Sequence, residues 1–198
     1  MLTMFLILST SCKSQQVVNL YMDEYERLPG KYYKDIQNKL DTYVGTWVYT
    51  SGTTSLKIVL QKRLHIFNSY DNCYEDELVG AVQYSENNVE IINTLSILDN
   101  TNDNEVREAC AISGNVFWQP YYRPVCLECD EFVKRIRTHF KDPERAYIQT
   151  SSYIGFKEDL PNNKMIFYLR AETSALPEAD SPQNTRVPEG TYVLTKVP

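Results

Sequence analysis

From Val44 onward the chain alternates with a period of two, and this constrains the fold more than any other feature. Leu56, Ile58 and Leu60 alternate with Lys57, Val59 and Gln61, the pattern of a strand with one face buried. Val44–Thr50 reads as the strand before it, and Ser51-Gly52-Thr53 between them reads as a hairpin turn. Leu78–Ser85 and Val89–Leu98 make a second hairpin through Glu86-Asn87-Asn88, with a polar loop around Asp71-Asn72 and Glu75-Asp76-Glu77 before it. Further strands are expected at Cys110–Trp118, broken at Ser113-Gly114-Asn115, and at Ala146–Lys157, Lys164–Thr173 and Thr191–Val197; Phe132–Phe140 is read as another, although Phe132, Ile136 and Phe140 fit a helix face as well as a strand face. No crossover helix separates these runs. Asp99–Glu105 reads as a long solvated loop, and Pro177, Pro182 and Pro188 mark another. Many short antiparallel strands in one chain either close into a barrel or stack as two sheets. Closure removes the exposed edges through which sheets aggregate. The expected fold is therefore all-β, an antiparallel barrel of about eight to ten strands, with a β-sandwich as the alternative.

Ahead of the strands, Asp23–Leu28 and Ile36–Tyr43 suggest short helical turns, the second with Ile36, Leu40 and Tyr43 on one face. The first twelve residues have a different character. Met1–Leu8 is an apolar run too short to span a bilayer, and Ser9-Thr10-Ser11-Cys12 follows it. Small residues before a cysteine suit a lipoprotein signal peptidase, which leaves that thiol to carry diacylglycerol. The expected organisation is a signal peptide over 1–11, a lipidated tether over 12–35 and one barrel domain over 36–198. No Lys or Arg precedes the apolar run, so the translation start is expected to lie upstream. The expected location is the outer membrane, anchored through acyl chains on Cys12, on the periplasmic or cell-surface side.

With Cys12 acylated, Cys73, Cys110, Cys126 and Cys129 remain. Their even number and an oxidising compartment make them disulfide candidates, with the pairing open. Cys126-x-x-Cys129 lacks a second closely spaced pair for zinc and a βαβ context for a redox dithiol. Neither metal nor cofactor is expected.

The net charge of −6 argues against nucleic-acid partners. His65 and His139 stand far apart, and no nucleophile elbow, P-loop or dinucleotide fingerprint occurs. Alternation places Arg135, Arg137 and His139 on one strand face, expected to be solvated or to guard an edge. The 15 tyrosines suit half-buried pleated surfaces. The chain is thus expected not to be an enzyme.

Several stretches carry a resemblance. Ser11-Cys12-Lys13 resembles the signal end of Bacteroidota-type lipoproteins. Val44-Gly45-Thr46-Trp47 with Leu56–Lys62, Ile91-Ile92-Asn93-Thr94, Phe140–Arg145 and Val187–Lys196 are similar, in that order, to one small lipoprotein family defined only as a domain of unknown function. That resemblance implies location and fold and no reaction. Gly45-x-Trp47 also looks like the first strand of lipocalin-type barrels. The likeness implies that Trp47 plugs the closed end while a cation from the C-terminal part crosses its ring, with Lys196 the first candidate and Arg170 the second. The functional expectation is a lipid-anchored envelope barrel acting as a structural or interaction module, whose partner would be an envelope protein. The alternative is lipocalin-like binding of a small apolar or amphipathic ligand.

Overall fold

Strand alternation builds an eight-stranded barrel whose last strand returns to its first. The computed structural model describes residues 14–21, 27–119, 135–156, 163–172 and 180–198. Its strands are β1 (Val17–Asn19), β2 (Tyr32–Lys34), β3 (Gly45–Ser51), β4 (Thr54–Asn68), β5 (Cys73–Glu86), β6 (Val89–Asn93), β7 (Ile112–Trp118), β8 (Arg135–Phe140), β9 (Thr150–Gly155), β10 (Lys164–Ala171) and β11 (Gly190–Val197). Strands β3, β4 and β5 pair in succession, β7 to β11 do likewise, and β11 pairs back to β3. Pairing of Leu78–Gly80 on β5 with Ile112–Gly114 on β7 closes the ring. All of these pairings are antiparallel. The barrel form of the expectation holds, and the sandwich does not.

Alternate residues share one interior. Trp47 faces Ile58 across β3–β4, and Ile58 faces Val82 across β4–β5. On the opposite wall Ile136 faces Ile154, and Ile154 faces Phe167. None of these six residues is more than marginally accessible. A side chain with no accessible surface borders no void that would admit a water molecule. Among the described residues the interior around these six side chains is therefore a packed core, as in other small barrels.

The lower end, where β3 begins and β11 finishes, is stoppered by aromatic rings. Trp47 is fully buried and donates Nε1–H to the Tyr43 carbonyl at 2.8 Å. Phe156 packs against both Trp47 and Tyr43, at 5.9 and 4.8 Å between ring centroids. Lys196 pairs directly with Trp47, and its Nζ lies 5.1 Å from the ring centroid. Gly45 makes this approach possible. Its φ of +134° is backbone that side chains rarely adopt, and a Cβ there would sit 2.8 Å from Lys196 Cε. Arg170 is exposed near the far end of β10, beyond the last residue that pairs with β11.

Several local expectations are corrected. Residues 12–35, expected as tether, contain β1 and β2, which add two parallel strands beside the lower end of β5. The Ile36–Tyr43 stretch forms a 3-10 turn only over Leu40–Thr42, with Leu40 and Tyr43 buried and Ile36 exposed. The suggested helix at Asp23–Leu28 lies mostly outside the described residues. The Asp99–Glu105 stretch is not simply a loop: α1 (Asp103–Ala109) starts within it. Asn102 caps that helix, its side-chain oxygen accepting from the backbone amides of Asn104 and Glu105, while its side-chain Nδ2 donates to Glu105 Oε1 at 2.8 Å. Val106 then packs with Ile66, Val79, Ala81 and Cys110 on the outer wall. Strand β7 runs through Ser113-Gly114-Asn115 as a bulge instead of breaking there. A side chain at Gly114 would run into the Arg137 carbonyl. Strand β8 is interior to the sheet, so Arg135 and Arg137 guard no edge. Arg135 is buried with its guanidinium 4.0 Å from the Tyr153 ring centroid, and Arg137 lies over Trp118 at 4.5 Å.

Trp47→Ala is expected to cost about 3–5 kcal/mol through lost transfer energy and a residual cavity. Lys196→Ala is expected to cost about 1 kcal/mol, the scale of a partly solvated cation–π contact. Urea denaturation of the two variants checks this, and equal losses would contradict the stopper arrangement.

Candidate functional site

Two groups of buried charges, one at each end of the barrel, are where polar chemistry concentrates. At the lower end β5 carries Glu75, Asp76 and Glu77 in succession, all nearly inaccessible. Alternation sends them to different surroundings. Asp76 points with the inward-facing residues and accepts from Tyr32 Oη at 2.5 Å, the Asp35 amide at 2.9 Å and the His65 amide at 3.1 Å. Asp35 in turn accepts from the Lys39 and Leu40 amides at 2.9 and 3.0 Å, starting the 3-10 turn. Lys62 reaches both Asp35, at 3.4 Å, and Asp41.

Glu75 and Glu77 point outward, where α1 covers the wall. Arg107 on that helix bridges them, with Nη2 3.3 Å from Glu75 and Nε 2.6 Å from Glu77. Asn68 also donates to Glu75, at 2.9 Å. Burial raises the Glu77 carboxyl to about 7; Arg107 opposes the rise and Glu75 adds to it. A perturbed carboxyl can mark a functional site, and structural ion pairs perturb carboxyls as well. Here each acid is spent on holding an element in place. Asp76 fixes β2 and the β4 bulge at His65, and the Glu75–Arg107–Glu77 bridge fixes α1.

At the upper end Asp142 is buried beneath the loop that leads into β11. It accepts from the Arg186 amide at 2.8 Å, from Arg186 Nε at 3.0 Å and Nη2 at 2.6 Å, and from the Glu144 amide at 3.2 Å. Burial alone would raise the Asp142 carboxyl. The Arg186 hydrogen bonds and charge outweigh it and hold the group below the ordinary carboxylate range. Arg186 also donates to the Ile91 carbonyl at 3.2 Å and pairs with Glu144 at 2.7 Å. Val187 beside it is fully buried, and Tyr192 Oη donates to the Pro188 carbonyl at 2.6 Å. Ile91–Thr94, Phe140–Arg145 and the approach to β11 therefore meet in one clasp, although they are far apart in the chain.

Of the cysteine candidates, the described residues include Cys73 and Cys110, and these two are not paired with each other. Cys73 and Cys110 are buried free thiols in separate apolar clusters, and burial pushes each up to about 11. Such thiols are poor nucleophiles at neutral pH. Cys12, Cys126 and Cys129 lie outside the described residues. Among the described residues no three His, Cys, Asp or Glu side chains form a group able to hold a metal ion.

The family of unknown function DUF6705 matches residues 1–197. The chain belongs to this family. No curated protein and no solved structure matches it. The DUF6705 match spans the barrel, both charged ends and the N-terminal strands, so they belong to one family unit. Sequence reasoning did not find the buried acids of this DUF6705 chain, because their partners lie elsewhere. Asp142 meets Arg186, and Glu77 meets Arg107, only in the folded barrel. The one local signal was Asn102-x-x-Glu105, a helix-cap spacing that announces α1 and with it Arg107.

The two buried acids should respond oppositely to pH. The folded-state value of Glu77 lies above its unfolded one. Its contribution is thus full below the ordinary carboxylate range and is lost as pH rises through about 7. Glu77→Gln should flatten that decline and raise stability at pH 8 by on the order of 1–2 kcal/mol. Asp142 has a lowered value, so its contribution is present above the ordinary carboxylate range and is lost as pH falls through the lowered value. Asp142→Asn should cost about 3–5 kcal/mol near neutral pH, with the deficit closing in acid. Denaturation midpoints from pH 3 to pH 8 check both signs.

Proposed function

We propose that this DUF6705 chain is a lipid-anchored barrel of the cell envelope that serves as a structural or interaction module and not as an enzyme. The observation that supports a module over lipocalin-like ligand binding is the close packing of the described interior. Trp47, Ile58, Leu60, Leu78, Phe167 and Leu194 are all inaccessible, the aromatic stopper closes one end, and the Asp142–Arg186 clasp closes the other. A ligand of the lipocalin kind would have to displace these side chains, at a cost of several kcal/mol for each cavity-sized gap opened. The function then rests on the outside of the barrel.

The anchor is supported by Met1–Leu8 and Ser9-Thr10-Ser11-Cys12. Diacylation there would hold the chain to a membrane stably, because each buried CH2 contributes about 0.8 kcal/mol and more than one acyl chain is involved. The proposed location is the outer membrane, on its periplasmic or surface side.

Fractionation without detergent tests this. The parent chain is expected with the membranes, and Cys12→Ser is expected in the soluble fraction, folded and otherwise unchanged. A Cys12→Ser protein that stays with the membranes would refute the anchor.

A further inference from the structure

Strands β1, β2, β5 and β4 bring four apolar residues into one cross-strand row at the lower end. Val17 lies opposite Tyr32, Tyr32 opposite Tyr74, and Tyr74 opposite Phe67. The next residue along each strand turns the other way, and Val18, Tyr33, Glu75 and Ile66 are buried. The front row meets solvent: Val17 is 53% exposed and Phe67 37%, while Tyr70, at the tip of the β4–β5 turn just beyond the row, is 94% exposed. His65 packs into the row, stacked on Tyr74 at 4.2 Å and edge-on to Tyr32 at 4.6 Å. The hydroxyl of Tyr32 is tied to Asp76. This is a preformed apolar and aromatic surface, of the kind that marks an interaction site on a soluble domain.

The start of the chain says what covers it. Gln15 touches this same surface, its side-chain oxygen 2.7 Å from His65 Nε2 and its amide on the Gly30 carbonyl. Cys12 is three residues earlier in the sequence, and three residues span at most about 10 Å. Because β1 and β2 are part of the sheet, little slack separates the anchor from the barrel. We propose that the Val17–Tyr32–Tyr74–Phe67 row, with Tyr70, docks on the surface of the bilayer that holds the Cys12 acyl chains. This rests on the lipid-anchor reading above. Tyr70, exposed at the turn, suits the position, since tyrosine rings favour the level of the headgroups. The barrel then stands with its lower end on the membrane, and the Asp142–Arg186 end faces away from it.

The test uses the full-length protein extracted from envelopes and reconstituted in phosphatidylcholine vesicles, with and without brominated acyl chains. Tyr70→Trp and Phe67→Trp place reporters in the row, and Val89→Trp places one on β6 at the opposite end, where Val89 is 60% exposed. After subtraction of the parent emission, the reporters at 67 and 70 are expected to be blue-shifted and to lose intensity in brominated vesicles. The reporter at 89 is expected to be the same in both. The intact mass of each preparation reads acylation separately. Acylated protein with no loss at 67 and 70, or with equal loss at 89, overturns the docking and leaves the anchor standing. Protein without acyl chains overturns both. If soluble Cys12→Ser protein self-associates in sedimentation and Phe67→Ser abolishes this, a second copy covers the row, and the docking is overturned in that way.

Discussion

Antiparallel pairing of Thr46–Val48 with Thr195–Val197 is the seam that makes one interior out of eight strands. A sheet left open there would expose two edges and leave half of its apolar face in water. With the seam closed, residues from opposite walls pack on each other, and Trp47 goes from an edge position to full burial. Closure also brings Lys196 against the indole, which needs the room that Gly45 leaves. The stopper and the packing of opposite walls on each other depend on this return.

Filling the interior with apolar side chains moves polar work to the ends. Buried carboxylates are costly unless each is matched by cations or backbone amides. At the upper end a single Arg186–Asp142 pair answers that requirement and joins three distant segments. At the lower end the requirement is answered less completely. Two outward acids share Arg107, and burial, with Glu75 adding to it, still raises the Glu77 carboxyl against the pull of Arg107. The lower end is also where β1 and β2 attach and where the exposed aromatic row lies, so the buried acids and the row proposed for docking share one end of the barrel.

Much of the barrel could be read in the chain because strands announce themselves locally. The alternation at Leu56, Ile58 and Leu60, the turn at Ser51-Gly52-Thr53 and the Gly45-x-Trp47 pair each depend on a few neighbouring residues. Strands β1 and β2 were not legible, since three residues are too few to display a period. Helix α1 was nearly legible through its Asn102 cap, but its polar sequence resembled a loop. The buried acids were least legible. Glu75-Asp76-Glu77 looks like a solvated turn until Arg107 and the Tyr32 hydroxyl are placed beside it.

By itself, the sequence determined the fold class, the existence of most strands in the second half of the chain and the inward face of strands such as Leu56–Leu60, because a period of two assigns each side chain to a face. Tertiary structure alone decided which charges become buried partners, how the described side chains pack in the interior, and that Val17, Tyr32, Tyr74 and Phe67 form one surface. Those outcomes depend on cross-strand register between segments tens of residues apart. Register is an energetic compromise over the whole closed sheet, and no local stretch of the chain carries it.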